Sequence, residues 1–221
     1  MFEFLTKKDP LYKLTEIQYD KIKFKARIAF IDDEELTHVD RLRNDGYNIT
    51  HFSDIEKIDE FIRKEYHVII LDIQGVGKQL TPNQEGWGLL KYIKEEYPHI
   101  VVIMFTGADW SITQYTELAN KADDFIGKDL EFLDFKSKLD NGIRKAFSFD
   151  YHFEIEKKNI INKIGSSSTI DEIKRIVNNY GGNETKAMKF LKKTVKDPET
   201  LKYLSNLLTI LGDIKKIISG L

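Results

Sequence analysis

The chain of 221 residues contains no cysteine, which removes disulfides, thiolate metal sites and cysteine nucleophiles together. Any metal it holds must sit on oxygen or histidine. It has no apolar run of about 18 residues, the length a membrane-spanning helix needs. The apolar start from Met1 to Leu5 meets Lys7, Lys8 and Asp9 too soon for a signal-peptide core, so the cytoplasm is the expected location and no membrane partner is expected. The four histidines of the first 150 residues, His38, His51, His67 and His99, are too scattered for a metal-ligand spacing, and no serine, histidine and acid arrangement can be argued from position. No internal repeat is present.

What is present suits a globular chain: 41% apolar and 32% charged residues, with a formal net charge of −2. The charge is unevenly spread. Residues 151–221 carry 13 Lys and Arg against 8 Asp and Glu, while residues 1–150 carry 21 against 28. The acidic body and basic tail suggest different partners for the two parts.

From Arg27 onward, short apolar runs alternate with longer amphipathic stretches, the pattern of a βα-repeating fold with a parallel sheet. Strands are predicted at Arg27–Ile31, Tyr47–Phe52, His67–Leu71, Ile100–Phe105 and Asp124–Ile126. Helices are predicted between and after them at Glu35–Asn44, Ile55–Glu65, Gly86–Glu96, Ser111–Lys121 and Phe132–Phe147. Beyond Phe149 the pattern is helical alone, with Gly165 to Ser168 read as a linker. Thr169 and Glu172 have capping-box spacing, Asn183 can cap a helix after the Gly181 and Gly182 break, and Asp197 with Pro198 starts a helix running to about Ser219. The expected organisation is an N-terminal arm over 1–25, an α/β domain over 26–149 and a helical C-terminal module over 150–221.

Ligands of parallel α/β sheets bind at the carboxyl ends of strands. Asp32 and Asp33 follow the first strand, Asp72 the third, Thr106 the fourth, and Lys128 comes just after the fifth. Taken singly, each is an ordinary turn, cap or surface residue. Together they bring three mutually repelling carboxylates to one edge, an arrangement that a hard divalent cation relieves. Magnesium suits an oxygen-only cluster, because it needs only one or two carboxylates and keeps waters or a phosphate oxygen as its other ligands.

This set, two acids after strand one, Asp after strand three, Thr after strand four and Lys after strand five, resembles the motif of response-regulator receiver domains. The resemblance covers about 120 residues. It implies a doubly wound, flavodoxin-like sheet of five parallel strands followed by a small all-α module. It also implies a phosphorelay signalling protein whose Asp72 takes a phosphoryl group from a histidine kinase or phosphotransfer protein. By the same resemblance Asp32, Asp33, Asp72 and the backbone carbonyl of Gln74 would hold Mg2+. Lys128 would pair with the carboxylate and then with the phosphoryl oxygens, Thr106 would donate to those oxygens, and Phe125 stands at the position of an aromatic switch. Core packing is the other reading of Phe125. Such a protein is not an enzyme in the usual sense, since accepting one phosphoryl group and slowly losing it is not turnover.

Two features depart from the family pattern. Asp129 follows Lys128 where a proline is usual, and the stretch from Asp72 to Gly86 is several residues longer than the usual connection. That loop can restrict docking, shield the phosphoryl group or be a tolerated insertion. Its Gly75-Val76-Gly77-Lys78 run is not a Walker loop, because the positions that would need Gly and Ser or Thr hold Asp72 and Gln79. The acids after the first strand likewise argue against a dinucleotide site.

In the tail, Lys186, Lys189, Lys193 and Lys196 share one helical face, with Met188, Leu191 and Val195 on another. A lysine stripe can contact DNA phosphates but reads no bases, and no helix-turn-helix pattern is recognisable. The last helix carries an apolar stripe of Leu204, Leu207, Leu208, Leu211, Ile214, Ile218 and Leu221, fit to close a bundle or pair with another chain. The tail is therefore expected to be a protein-docking or dimerisation module. DNA binding by a transcription regulator, and a pseudo-receiver scaffold without phosphoryl chemistry, stand as the alternatives.

Overall fold

The computed structural model describes residues 8–11, 19–20, 22–34, 36–107, 115–164 and 167–220. It divides into two compact units, one of which is Tyr19–Ala146 and the other the described residues from Phe147 onward together with 8–11.

The first unit is a five-stranded, all-parallel sheet in the order β2-β1-β3-β4-β5. Its strands are β1 (Ile28–Ile31), β2 (Ile49–Phe52), β3 (Val68–Asp72), β4 (Val101–Thr106) and β5 (Asp124–Gly127). Among the described residues its helices, beside the helical residues Tyr19, Asp20 and Ile22, are α1 (Thr37–Asn44), α2 (Ile58–Ile62), α3 (Gly86–Glu96), α4 (Thr116–Ala119) and α5 (Phe132–Ala146). β1, β3 and β4 are continuous apolar runs because both of their faces are covered. On one face Ala29, Ile31, Ile69, Leu71, Val102 and Met104 share a core with Phe61 of α2 and Leu89, Leu90 and Ile93 of α3. On the other, Phe30 packs edge-on to Phe105 at 5.5 Å between ring centroids, and Phe105 to Phe135 of α5 at 6.0 Å. The predicted doubly wound α/β sheet is thus present.

Local departures have local causes. The helix expected over Ile55–Glu65 shrinks to α2. At its start Asp54 turns back to accept the Ile55 N–H at 2.7 Å, and at its end Glu65 takes a φ of 53°. The expected helix over Ser111–Lys121 is seen as α4, its residues 111–114 lying outside the described ones. Among the described residues no peptide bond is cis, so the turn at Lys128 and Asp129 is made in trans.

The second unit comprises α6 (Phe149–Ile164), α7 (Ser167–Tyr180), α8 (Glu184–Thr194) and α9 (Pro198–Ser219). Asn183 caps α8 by accepting the Lys186 N–H, and Asp197 caps α9 by accepting the Thr200 N–H, both as expected. Thr169 is not a cap. α7 starts two residues earlier, at Ser167, since nothing in the serine run forbids helical φ and the stripe of Ile170, Ile173 and Val177 carries the turn backward. Leu204, Leu207, Leu208 and Leu211 of α9 are at most 1% exposed and pack with Phe153, Ile173, Val177, Ala187 and Leu191. Leu11 joins this core, with its N–H and that of Asp9 donating to the Asn178 and Asn179 carbonyls at 2.9 and 3.0 Å. The apolar stripe of α9 therefore closes a bundle within the chain; Leu221 lies outside the described residues. No helix among the described residues is long and apolar enough to cross a membrane.

Candidate functional site

Strand register brings the polar residues together. Parallel pairing sets Asp72 beside Phe105 and Thr106 beside Gly127, so the ends of β3, β4 and β5 finish level and Lys128 emerges next to Asp72. The Lys128 N–H donates to the Thr106 carbonyl at 2.7 Å, which fixes where its side chain starts. Beyond β1, Asp32 is fully buried: its carbonyl lies 2.7 Å from His51 Nε2 and its Oδ1 accepts the Glu34 N–H at 2.8 Å.

Lys128 Nζ stands 2.8 Å from Asp72 Oδ2 and 3.1 Å from Asp32 Oδ2. The other Asp72 oxygen, Oδ1, accepts the Ile73 N–H at 2.7 Å. Carboxylate oxygens of Asp32, Asp33 and Asp72 all lie within 4.8 Å of one another. The geometry is charge-dense, and its inner acids Asp32 and Asp72 are buried. Burial pushes the Asp72 carboxyl above its usual range, the Lys128 hydrogen bond pulls it down, and the neighbouring Asp32 charge pushes it up again. Burial works against the Lys128 ammonium, but its hydrogen bond to Asp72 and its charge pairing with Asp72 and Asp32 hold the proton and leave its pKa raised.

A divalent cation fits this donor set. Three carboxylates converge, and Asp32 Oδ2 is buried with the Lys128 ion pair beside it but with no hydrogen bond of acceptable geometry. Gln74 lies just past Asp72 on an exposed turn. Thr106 donates to the Gly107 carbonyl at 3.0 Å, so its hydroxyl is engaged locally and not with Asp72; a Cβ on Gly107 would meet nothing within 4 Å. Phe125 is partly buried, 6.4 Å from the ring of Trp87, which itself stacks on Tyr115 at 5.5 Å. The tail lysines belong to the helical unit: Lys189, Lys193 and Lys196 are exposed, Lys186 lies over Tyr180 and Lys193 over Phe190, but Lys196 is not on the expected helical face, because α8 ends at Thr194 and the backbone turns extended at Val195.

The sequence reading missed the residues that shape the rim of the cluster. Gly86 starts α3 so close to β3 that a Cβ there would lie 1.9 Å from the Asp72 carbonyl oxygen, and its N–H donates to the Ile73 carbonyl at 3.0 Å. Lys78 reaches Asp33 at 3.3 Å. The glycines of the long loop were a visible signal of unusual backbone, but the partners of that loop were not.

No family model matches the chain. In sequence it is 25% identical to the regulatory protein LuxO of Vibrio cholerae over 129 residues, 58% of this chain and 27% of that protein. It is 32% identical to the transcriptional regulatory protein CssR of Bacillus subtilis over 87 residues, 39% of this chain and 36% of that protein. The chain thus spans well under half the length of these curated relatives. Among solved structures it is similar to the receiver domain of NtrX from Brucella abortus, at 23% identity and a TM-score of 0.42, over 53% of this chain and 98% of that one.

Proposed function

We propose that this chain, which carries a response-regulator receiver domain, accepts a phosphoryl group on Asp72 from a histidine kinase or phosphotransfer protein and passes the signal through its helical C-terminal module. The observation that carries the reading is the placement of Lys128 between Asp72 at 2.8 Å and Asp32 at 3.1 Å, with Asp33 completing the carboxylate group. An Asp72 oxygen attacks phosphorus, the new P–O bond forms as the donor's P–N bond breaks, and the departing imidazole takes up a proton. Such transfer needs positioning and charge neutralisation more than covalent help. Lys128 keeps Asp72 ionised and oriented, and its ammonium then follows the charge onto the phosphoryl oxygens. Thr106 gives up its bond to the Gly107 carbonyl to donate to the same oxygens. Asp32, Asp33, Asp72 and the Gln74 carbonyl would hold magnesium, which would supply the remaining positive charge. Phe125, packed in the core with Trp87, would then move when Thr106 does.

In this reading residues 26–149 receive the signal in the cytoplasm, and residues 150–221 dock a protein target or a second copy. DNA binding is the second reading, and its support is the exposed Lys189 and Lys193 of α8 and the likeness to a transcriptional regulator. Steep salt dependence of duplex binding would mark it. A phosphate-free scaffold is the third. The deciding experiment incubates the chain with magnesium and acetyl phosphate, then with a phosphorylated histidine kinase, and measures intact mass for the wild type and Asp72→Ala. One phosphoryl adduct on the wild type alone is the expected result. An adduct on both proteins removes Asp72 as the acceptor, and an adduct on neither leaves the scaffold.

A further inference from the structure

The connection from β3 to α3, residues 73–85, is a built element. Ile73 and Val76 are at most 2% exposed. The Gly75 N–H donates to the Glu85 carboxylate at 2.7 Å, and the Thr81 N–H and hydroxyl close the loop on the Gly77 and Glu85 carbonyls at 2.7 and 2.8 Å. Across the sheet edge, the Asp54 carboxylate after β2 accepts the N–H groups of Gly77 and Lys78. Gly75 and Gly77 have φ of 82° and 74°, and a Cβ on Gly75 would lie 2.4 Å from an Asp33 carboxylate oxygen. The backbone is therefore laid directly against Asp33, in a conformation only glycine adopts freely.

This anchoring delivers Lys78, whose Nζ lies 3.3 Å from Asp33 Oδ2. Lys128 pairs with Asp32 and Asp72, the two buried acids. Two lysines thus divide three carboxylates between them: Lys128 serves the inner pair and Lys78 the outer one. The outer pair is open to solvent, with Lys78 59% and Asp33 43% exposed, so it is weak and easily exchanged.

We infer that Lys78 is a built-in competitor for the divalent cation at this cluster, holding Asp33 when no ion is bound and displaced when one arrives. The inference rests on the proposed reading of the cluster as a magnesium-dependent phosphoryl acceptor. An ammonium at this range repels a dication that shares its carboxylate, and the Asp54 anchor fixes the backbone from which the lysine side chain reaches Asp33.

The test is calorimetric titration of Mg2+ into the full chain at low ionic strength. Lys78→Gln should bind the ion about three- to tenfold more tightly than the wild type, and the gain should shrink in high salt, where the lysine is screened. Lys78→Arg, which keeps the charge, should match the wild type. Lys91→Gln, the same charge change at an exposed position of α3, should lie within about twofold of it, as an ammonium outside the cluster is screened. Unchanged or weaker binding by Lys78→Gln, or an equal gain in Lys91→Gln, overturns the role of Lys78 and leaves the acceptor reading standing. Absence of Mg2+ binding in the wild type and Lys78→Gln alike overturns the metal-binding reading and the competitor with it.

Discussion

At the carboxyl edge of the sheet, Asp32 and Asp72 are buried side by side with one lysine between them. In the helical unit the buried positions are mostly aliphatic or aromatic, and buried Thr200 has its N–H and its hydroxyl both bonded to Asp197 at 2.7 Å. Charge is desolvated in the first region, while mainly apolar volume is filled in the second. The α/β unit therefore holds local destabilisation where chemistry is proposed, and the interior of the helical unit is arranged for stability. Substitutions should split along that line, with function lost without stability at one and stability lost without function at the other.

The largest effect expected is complete loss of the phosphoryl adduct in Asp72→Ala, with no fall in its calorimetric melting temperature. Burial and the Asp32 charge already push the Asp72 carboxyl up, so deleting it removes a strained ionised group and leaves Lys128 to Asp32. A clear drop in melting temperature would break the comparison. Its mirror image is Leu207→Ala in the core of the helical bundle, where the side chain is fully buried. That change should cost about 2–5 kcal/mol in urea denaturation followed by circular dichroism, because a cavity replaces packed volume. The adduct should still form. Both tryptophans, Trp87 and Trp110, belong to the sequence of the α/β unit, so their emission reports that unit separately.

How much of this was legible beforehand depends on how far along the chain each cause lies. The runs around Ile28–Ile31, Val68–Asp72 and Val101–Thr106 could be read because a strand buried on both faces is apolar throughout, and the acids stood out because they end those runs. Asn183 and Asp197 were readable because a cap acts within three residues. Thr169 misled for the complementary reason: its spacing to Glu172 is right, but the apolar stripe of α7 begins the helix earlier. Lys78 and Asp33 are 45 positions apart, and Asp54 and Gly77 are 23 apart. No local pattern encodes such pairs, which exist only once the sheet has brought its edge loops together. Glycine at 75 and 77 hinted at the backbone needed, and nothing nearby named the partner.

Lys128→Ala sharpens the comparison from the charged side. It leaves Asp32 and Asp72 buried with no cation between them, and should cost about 1–3 kcal/mol near neutral pH, less than a fully buried pair because the lysine is 30% exposed. The pH dependence has a definite sign. Without the ammonium, the already raised Asp72 carboxyl rises further, so the folded variant binds protons that the unfolded chain has released. Its stability should increase as pH falls from 7 toward 5 and decrease on the way back, measured by urea midpoints. Wild type should show the alkaline counterpart: the Lys128 proton is held more tightly in the fold, so its contribution persists below the unfolded lysine pKa and is lost as pH rises through the folded one.

The smallest effect belongs to the helical unit's polar end. Asp197 accepts both donors of Thr200 and sits one residue before Pro198, where it closes the first turn of α9. Asp197→Ala should cost about 1 kcal/mol by urea denaturation, the usual value of a cap, and Asp197→Asn should restore most of it. Thr200 is what makes this more than a cap measurement. Its side chain is fully buried, so removing Asp197 leaves a hydroxyl without that acceptor inside the bundle. If the loss is confined to the cap, Asp197→Ala and Asp197→Ala with Thr200→Val will differ little. If the buried hydroxyl carries part of it, the double variant will be the more stable of the two. That outcome would mean the helical unit, too, holds a polar group whose burial depends on one carboxylate, and the contrast with the sheet edge would be one of degree.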